Sequence, residues 1–192
     1  RDGTKGIKDP GGKWTSRREA DGRAIRGNPI AADGRAVRDP AELPAAEWEE
    51  TLRPDDPVLD MHIPAEDPLA PEAVRDSVRR GLEFFPRHFP EQPFKAVVCY
   101  AWLLDPTFQR ILPLQANLPG FQKLFHLFPL WESEERAFER VFGGRPADFK
   151  SAPRDTGIRR AILDLYASGG RLIGGAGGIW RGDSAPGVFP QR

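Results

Sequence analysis

Residues 94–106 read Phe94-Lys95-Ala96-Val97-Val98-Cys99-Tyr100-Ala101-Trp102-Leu103-Leu104-Asp105-Pro106, and this stretch decides the fold. The nine residues from Ala96 to Leu104 carry no charge, and both alternating faces of the extended chain are apolar. A strand that is apolar on both faces belongs inside a sheet with layers packed on either side. The stretch therefore predicts a central strand over 94–103.

Extended and helical patterns alternate around this strand. A short strand is predicted at 58–63, followed by an amphipathic helix that begins at Pro71 and ends by Pro86. Further strands are predicted at 122–130 and 171–180, and further helices after Asp105, after Ser133 and from Asp155 or Thr156. This order predicts an α+β fold, an α/β-like sandwich in which helices flank a mixed sheet.

The N-terminal part carries two similar Asp-Gly turns, at Asp21-Gly22 and Asp33-Gly34. Asp-Gly between extended runs is a strong hairpin signal, so strands near 13–19, 23–31 and 35–39 are predicted to form an antiparallel meander. We divide the chain accordingly into four parts. They are a disordered tail at 1–12, the meander and a connecting segment at 13–56, the main domain at 57–181 and a loose tail at 182–192.

Composition and charge exclude several classes of protein. The net charge is zero, which argues against a dedicated nucleic-acid binder, and no apolar run reaches the roughly 20 residues that a membrane helix needs. A single cysteine excludes an internal disulfide and a Cys-rich zinc site, so a cytoplasmic protein is expected. The chain begins with Arg rather than Met, as a fragment of a longer protein would.

Three histidines and one cysteine are the first candidates for chemistry. His62 lies at the end of a predicted strand, where α/β folds place ligands, although a histidine beside proline is more often structural. His126 and Cys99 lie within apolar strands, and core packing is the favoured role for both over catalysis. The histidines lack a short paired spacing, so no metal site is predicted.

Two further features can also be interpreted as either functional or structural. Tyr100 and Trp102 share a strand face, and each can line a pocket or pack in the core. The run Gly174-Gly175-Ala176-Gly177-Gly178 suggests a phosphate loop, but no helix follows it. A tightly approached edge strand is the better interpretation of these glycines.

Four runs resemble the C-terminal GNAT-like domain of bacterial two-domain acyltransferases. They are Asp56-Pro57-Val58-Leu59-Asp60-Met61-His62-Ile63-Pro64-Ala65, Trp102-Leu103-Leu104-Asp105-Pro106, Phe121-Gln122, and the Gly-rich segment Leu172–Trp180. The resemblance implies a GNAT-like mixed sheet with acyl-CoA or acetyl-CoA, and no metal, between the strands 58–63 and 94–103. It also implies a small-molecule amine acceptor and an N-terminal domain of the same protein as partner.

The resemblance implies roles for individual residues as well. His62 and Tyr100 become candidates for proton transfer, and the cofactor-binding candidates are Ile63, Pro64, Ala65, Ala70 and Trp102. In the loop at 64–70, which would receive the phosphates, Glu66 and Asp67 would repel a pyrophosphate, and Pro68 supplies no amide. The alternative is therefore a non-catalytic, GNAT-shaped module that binds a ligand or supports a partner domain.

Overall fold

A computed structural model describes residues 14–64, 68–130 and 133–182, and these residues form two sheets with helices packed around the larger one. The smaller sheet is antiparallel and contains β1 (Arg18–Ala20), β2 (Ala24–Gly27) and β3 (Ala41–Pro44). The larger sheet contains β4 (Val58–Asp60), β5 (Ala96–Ala101), β6 (Phe125–Pro129) and β7 (Ala176–Trp180). The predictions for 1–12 and for 183–192 lie outside the described residues.

The larger sheet is mixed, and its strand order is β4-β5-β7-β6. β4 and β5 are parallel, whereas β7 runs antiparallel to both of its neighbours. Residues 96–99 are all buried, as expected for an internal strand covered on both faces. The predicted mixed sheet and its central strand are confirmed. The strand is shorter than predicted because Trp102–Leu104 turn into a 3-10 helix.

Five helices are seen in the described parts of the chain. They are α1 (Pro71–His88), α2 (Phe108–Ile111), α3 (Asn117–Gln122), α4 (Glu135–Phe142) and α5 (Gly157–Ala167). α1 begins at Pro71 as predicted and buries Val74 and Val78. The prediction that it ends by Pro86 is wrong. Pro86 cannot donate a helix hydrogen bond, but α1 continues to His88, and Phe89 still donates to the Phe85 carbonyl at 2.8 Å.

Three predicted elements differ in the structure. α3 occupies part of the predicted loop and of the predicted strand 122–130, so β6 begins only at Phe125. The third strand of the meander is β3, not 35–39. At the second Asp-Gly turn, the chain bonds instead to the edge of the main sheet, where the Leu127 N–H donates to the Ala32 carbonyl at 3.1 Å.

Of the glycines in the run 174–178, Gly177 and Gly178 belong to β7, and no helix follows them as it would follow a phosphate loop. A Cβ on Gly178 would lie 2.8 Å from the Cβ of Phe125, a buried side chain of the neighbouring β6. The predicted close approach is therefore present, and only glycine fits it without displacing Phe125. The prediction of an edge position was wrong, because β7 lies between β5 and β6.

A buried polar cluster fixes the chain directly after β5. The Asp105 carboxylate accepts hydrogen bonds from the backbone N–H groups of Thr107, at 2.8 Å, and Gly174, at 2.9 Å. The Gln122 amide donates to the backbone carbonyls of Leu103, at 2.7 Å, and Asp105, at 2.9 Å. Asp105 and Gln122 are fully buried. We call Asp105, Gln122 and these backbone partners the buried polar cluster.

Candidate active site

The candidate site lies where the two parallel strands β4 and β5 stop pairing. Their register ends at Asp60 opposite Val98, and the last bond joins the Met61 N–H to the Val98 carbonyl at 2.8 Å. Beyond this bond a cleft of 630 Å³ opens, which we call the strand-end cleft. Its walls are formed by residues 61–64, Leu69, residues 99–103 and, from α4, Arg136 and Arg140.

The cleft brings together most of the residues singled out from the sequence. His62, Ile63 and Pro64 come from the β4 side, and Tyr100 and Trp102 from the β5 side. Ala70 does not line the cleft, although it is the residue from which α1 begins. Ala65 lies outside the described residues. The two sides meet because parallel strands place their carboxyl ends at the same edge of the sheet.

The His62 side chain is 91% exposed, and its Nε2 lies 3.5 Å from Oδ2 of Asp60. Asp60 is the last residue of β4, so the strand holds the carboxylate and the exposed ring follows at once. A carboxylate at this distance limits the orientation of the imidazole ring. This arrangement allows His62 to accept a proton from a group that enters the cleft.

Tyr100 and Trp102 form the opposite wall. The ring of Tyr100 is half-exposed and packs edge-to-face on Phe128 with the centroids 6.1 Å apart. Within the described parts of the chain, the Tyr100 hydroxyl has no hydrogen-bond partner. Trp102 is half-buried and packs edge-to-face on Phe108 at 5.9 Å. Tyr100 therefore offers the cleft a phenol, and Trp102 offers an apolar surface.

Cys99 also borders the cleft, but its environment is that of a core residue. Only 1% of its surface is exposed. Burial and, to a smaller extent, the Asp60 charge raise the pKa of the Cys99 thiol to about 12. Because the thiolate is the reactive form, this environment makes the thiol inert near neutral pH.

The entrance to α1 is held by packing and not by a side-chain cap. Ala70 precedes the helix without a cap hydrogen bond, and Leu69 is buried with a positive φ of 54°. The Asn117 amide donates to the Pro68 carbonyl at 2.9 Å, which ties this entrance to α3. The first turn of α1 also contains Glu72, whose side chain is exposed. This helix start is thus well positioned but carries a negative charge of its own.

Arg136 and Arg140 were not among the residues predicted from the sequence. They are four residues apart, so both lie on one face of α4, and that face borders the cleft. The i, i+4 spacing was visible in the sequence, but exposed arginines on a helix are common. Only the packing of α4 against the 3-10 helix 102–104 brings them to the cleft.

Two kinds of feature are absent from the described residues, a group of metal ligands and a membrane-spanning helix. Among residues 14–64, 68–130 and 133–182, no three His, Cys, Asp or Glu side chains are grouped as metal ligands would be. Over the same residues, no helix has the length and apolar character to span a membrane.

Comparison with known proteins gives a consistent result. Residues 14–179 match the family model described as the GNAT-like C-terminal domain. An acyltransferase solved in complex with decanoyl-CoA is 24% identical, with a TM-score of 0.56, and the match covers 85% of this chain and 45% of that one. An acyltransferase in complex with decanoyl-CoA and teicoplanin is 20% identical, with a TM-score of 0.50 and coverage of 85% and 46%.

At these identities the solved structures show a common fold. The chain spans less than half the length of the proteins in those structures. No curated protein matches it.

Proposed function

Because the chain belongs to the family of GNAT-like C-terminal domains, we propose that it is the acyl-CoA-binding part of an acyltransferase. The observation that carries the proposal is the separation of β4 and β5 after Asp60 and Val98, which opens the strand-end cleft. A cleft between the carboxyl ends of parallel strands is a favourable site for an extended ligand. The solved proteins of similar fold bind decanoyl-CoA, which supports an acyl-CoA as that ligand.

The two walls of the cleft suit the two ends of such a donor. Ile63, Pro64 and Trp102 offer apolar contacts to the pantetheine arm and the acyl chain. The phosphates would lie toward the entrance of α1 at Ala70, where free helix amides attract anions. Acetyl-CoA is the simplest donor that meets both requirements.

His62 and Tyr100 carry the proposed chemistry. In acyl transfer to an amine, the nitrogen attacks the thioester carbon, the C–S bond breaks, and the coenzyme leaves as a thiol. His62, held near Asp60, would take the proton from the attacking amine. The free hydroxyl of Tyr100 would supply a proton to the departing sulfur and recover one from solvent.

We further propose that activity requires a second domain of the same protein. The chain aligns with less than half of each matched acyltransferase. The outer edge of β4 has no strand partner within the described residues, and a further domain can pair with it. The lone buried thiol suits a reducing compartment, and we propose the cytoplasm.

Titration calorimetry with acetyl-CoA tests the proposal on this chain and on a longer form that includes the neighbouring domain. We expect saturable binding that is abolished by Pro64→Trp, because Pro64 is exposed and lines the cleft. Pro90→Trp is the matched control, because Pro90 is an exposed proline outside the cleft.

The sequence left two functions open, an acyltransferase and a non-catalytic GNAT-shaped module. The two predict different results in this experiment. Binding with turnover of an amine acceptor supports the acyltransferase. Binding without turnover in the longer form indicates a GNAT-shaped ligand-binding module. Failure of both forms to bind acetyl-CoA would contradict the proposal and favour a structural role.

A further inference from the structure

Arg136 and Arg140 stand out from the other arginines around α4 because they lack acidic partners. Both are exposed and line the strand-end cleft. Across residues 14–64, 68–130 and 133–182, neither makes an ion pair or a hydrogen bond through its side chain. By contrast, Arg145 is paired with Glu134 and Glu135. Two cations on one side of a cleft, without a described carboxylate between them, leave their charge available to a ligand.

The other residues that line the cleft do not supply a comparable positive charge. Apart from the two arginines, its lining is neutral except for His62, whose ring lies near Asp60. At the entrance of α1, Glu72 lies 4.0 Å from Arg75 and lowers the positive potential of the helix start. The sequence adds Glu66 and Asp67 in the preceding loop. An anionic ligand is thus attracted to the cleft mainly from the side of α4.

We infer that Arg136 and Arg140 bind the phosphate groups of the acyl donor, an inference that rests on the proposed function. Guanidinium groups bind phosphate oxygens through paired, charge-assisted hydrogen bonds. Side chains at i and i+4 have their Cβ atoms about 5–6 Å apart, so both can reach one pyrophosphate. The phosphate contacts of this chain then come from α4 in addition to the start of α1.

The test compares two acyl donors, one with the phosphates and one without them. Acetyl-CoA and S-acetylpantetheine share the thioester and the pantetheine arm, but the second carries no phosphate or nucleotide. Binding of each to the 192-residue chain and to its Arg136→Gln/Arg140→Gln variant is measured by titration calorimetry. We expect the variant to raise the Kd of acetyl-CoA about tenfold, equivalent to ~1.4 kcal/mol for the loss of two exposed charge pairs.

Two further results are expected if the arginines contact phosphate. The Kd of S-acetylpantetheine should be the same in the wild type and the variant. The salt dependence of acetyl-CoA binding should also weaken in the variant, because screening acts on the charges that were removed. The matched control is Arg87→Gln/Lys123→Gln, which removes two exposed cations outside the cleft. It should leave both affinities unchanged.

Several outcomes would overturn the inference. One is unchanged affinity of the variant for acetyl-CoA, which leaves the proposed function intact. Another is an equal loss of affinity for both ligands, which would indicate a general disturbance of the cleft. If the wild type does not bind acetyl-CoA, the proposed function fails, and inorganic pyrophosphate becomes the probe. Pyrophosphate binding lost in the variant supports the arginine site, and no pyrophosphate binding contradicts it.

Discussion

The buried polar cluster and the strand-end cleft flank the same end of β5, and they use polar groups in opposite ways. In the cluster, Asp105 and Gln122 are fully buried and fix the backbone on either side of them. In the cleft, the His62 ring and the Tyr100 hydroxyl are exposed and have few partners among the described residues. The cluster holds the chain in place, and the cleft offers groups to a ligand.

This contrast also divides the runs that carry the family resemblance. The run 56–65 contains His62, whereas the runs 102–106 and 121–122 contribute both side chains of the buried polar cluster. Those residues shape the end of β5 and the 3-10 helix from which Trp102 faces the cleft. They secure the geometry of the family, whereas His62 and Tyr100 would decide activity. The following predictions test whether the buried polar cluster determines stability and the cleft residues determine activity.

Asp105→Ala should have the largest effect on stability. It leaves the buried N–H groups of Thr107 and Gly174 without an acceptor, and each such group costs about 1–3 kcal/mol. We expect the free energy of unfolding in urea to fall by ~4 kcal/mol. Asp39→Ala is the control, because Asp39 is exposed, and it should change the value by less than ~0.5 kcal/mol. If both substitutions lowered the free energy of unfolding equally, the buried polar cluster would not be the stabilising feature that distinguishes it from the cleft.

Cys99 tests how far the buried environment extends toward the cleft. Because burial raises the pKa of its thiol to about 12 from 9.0, the thiolate fraction near neutral pH is about a thousandfold lower. We expect alkylation by iodoacetamide to be slower in the native protein by at least that factor and normal in urea. Rapid labelling of the native protein would show that the cleft reaches Cys99 and would reopen its role as a nucleophile.

Gln122→Leu should have an intermediate effect. The substitution removes the two hydrogen bonds that the amide donates to the carbonyls of Leu103 and Asp105, of which the second still accepts from the Phe108 N–H. It also removes Oε1, which has no partner in the described parts of the chain. We expect a loss of ~2 kcal/mol in the free energy of unfolding. A loss as large as that of Asp105→Ala would mean that the two side chains act as one unit, which the double variant would show as non-additivity.

His62→Gln should have the smallest effect on stability, because the ring is exposed and its ion pair with Asp60, at 3.5 Å, is a surface interaction. The free energy of unfolding should change by less than ~0.5 kcal/mol. In the longer form with its neighbouring domain, the rate of acyl transfer should nevertheless fall about 100-fold if His62 is the general base. An unchanged rate would exclude that role and would direct attention to Tyr100.

Much of the local structure could be predicted from the sequence. The apolar run around Val97 and Val98 indicated the internal strand, Pro71 indicated the start of α1, and Thr156 caps α5 as predicted. The position of His62 just after a strand could be predicted from the same patterns, whereas Tyr100 became a candidate for proton transfer only through the resemblance to the family. In each case the determining interactions lie within a few neighbouring residues.

Other features depend on contacts between distant segments. The sequence did not indicate α3, the position of β3, or the placement of β7 inside the sheet, since each is fixed by its partners.

By itself, the sequence determined most of the strands and helices of the core, including the segments of β4 and β5. Only the tertiary structure decided that the ends of these two strands separate into a cleft and that α4 contributes Arg136 and Arg140 to it. The physical reason is the distance along the chain over which the interactions act. Hydrophobic periodicity and helix capping act over a few residues, whereas the cleft forms by packing segments that lie about 30 residues or more apart along the chain.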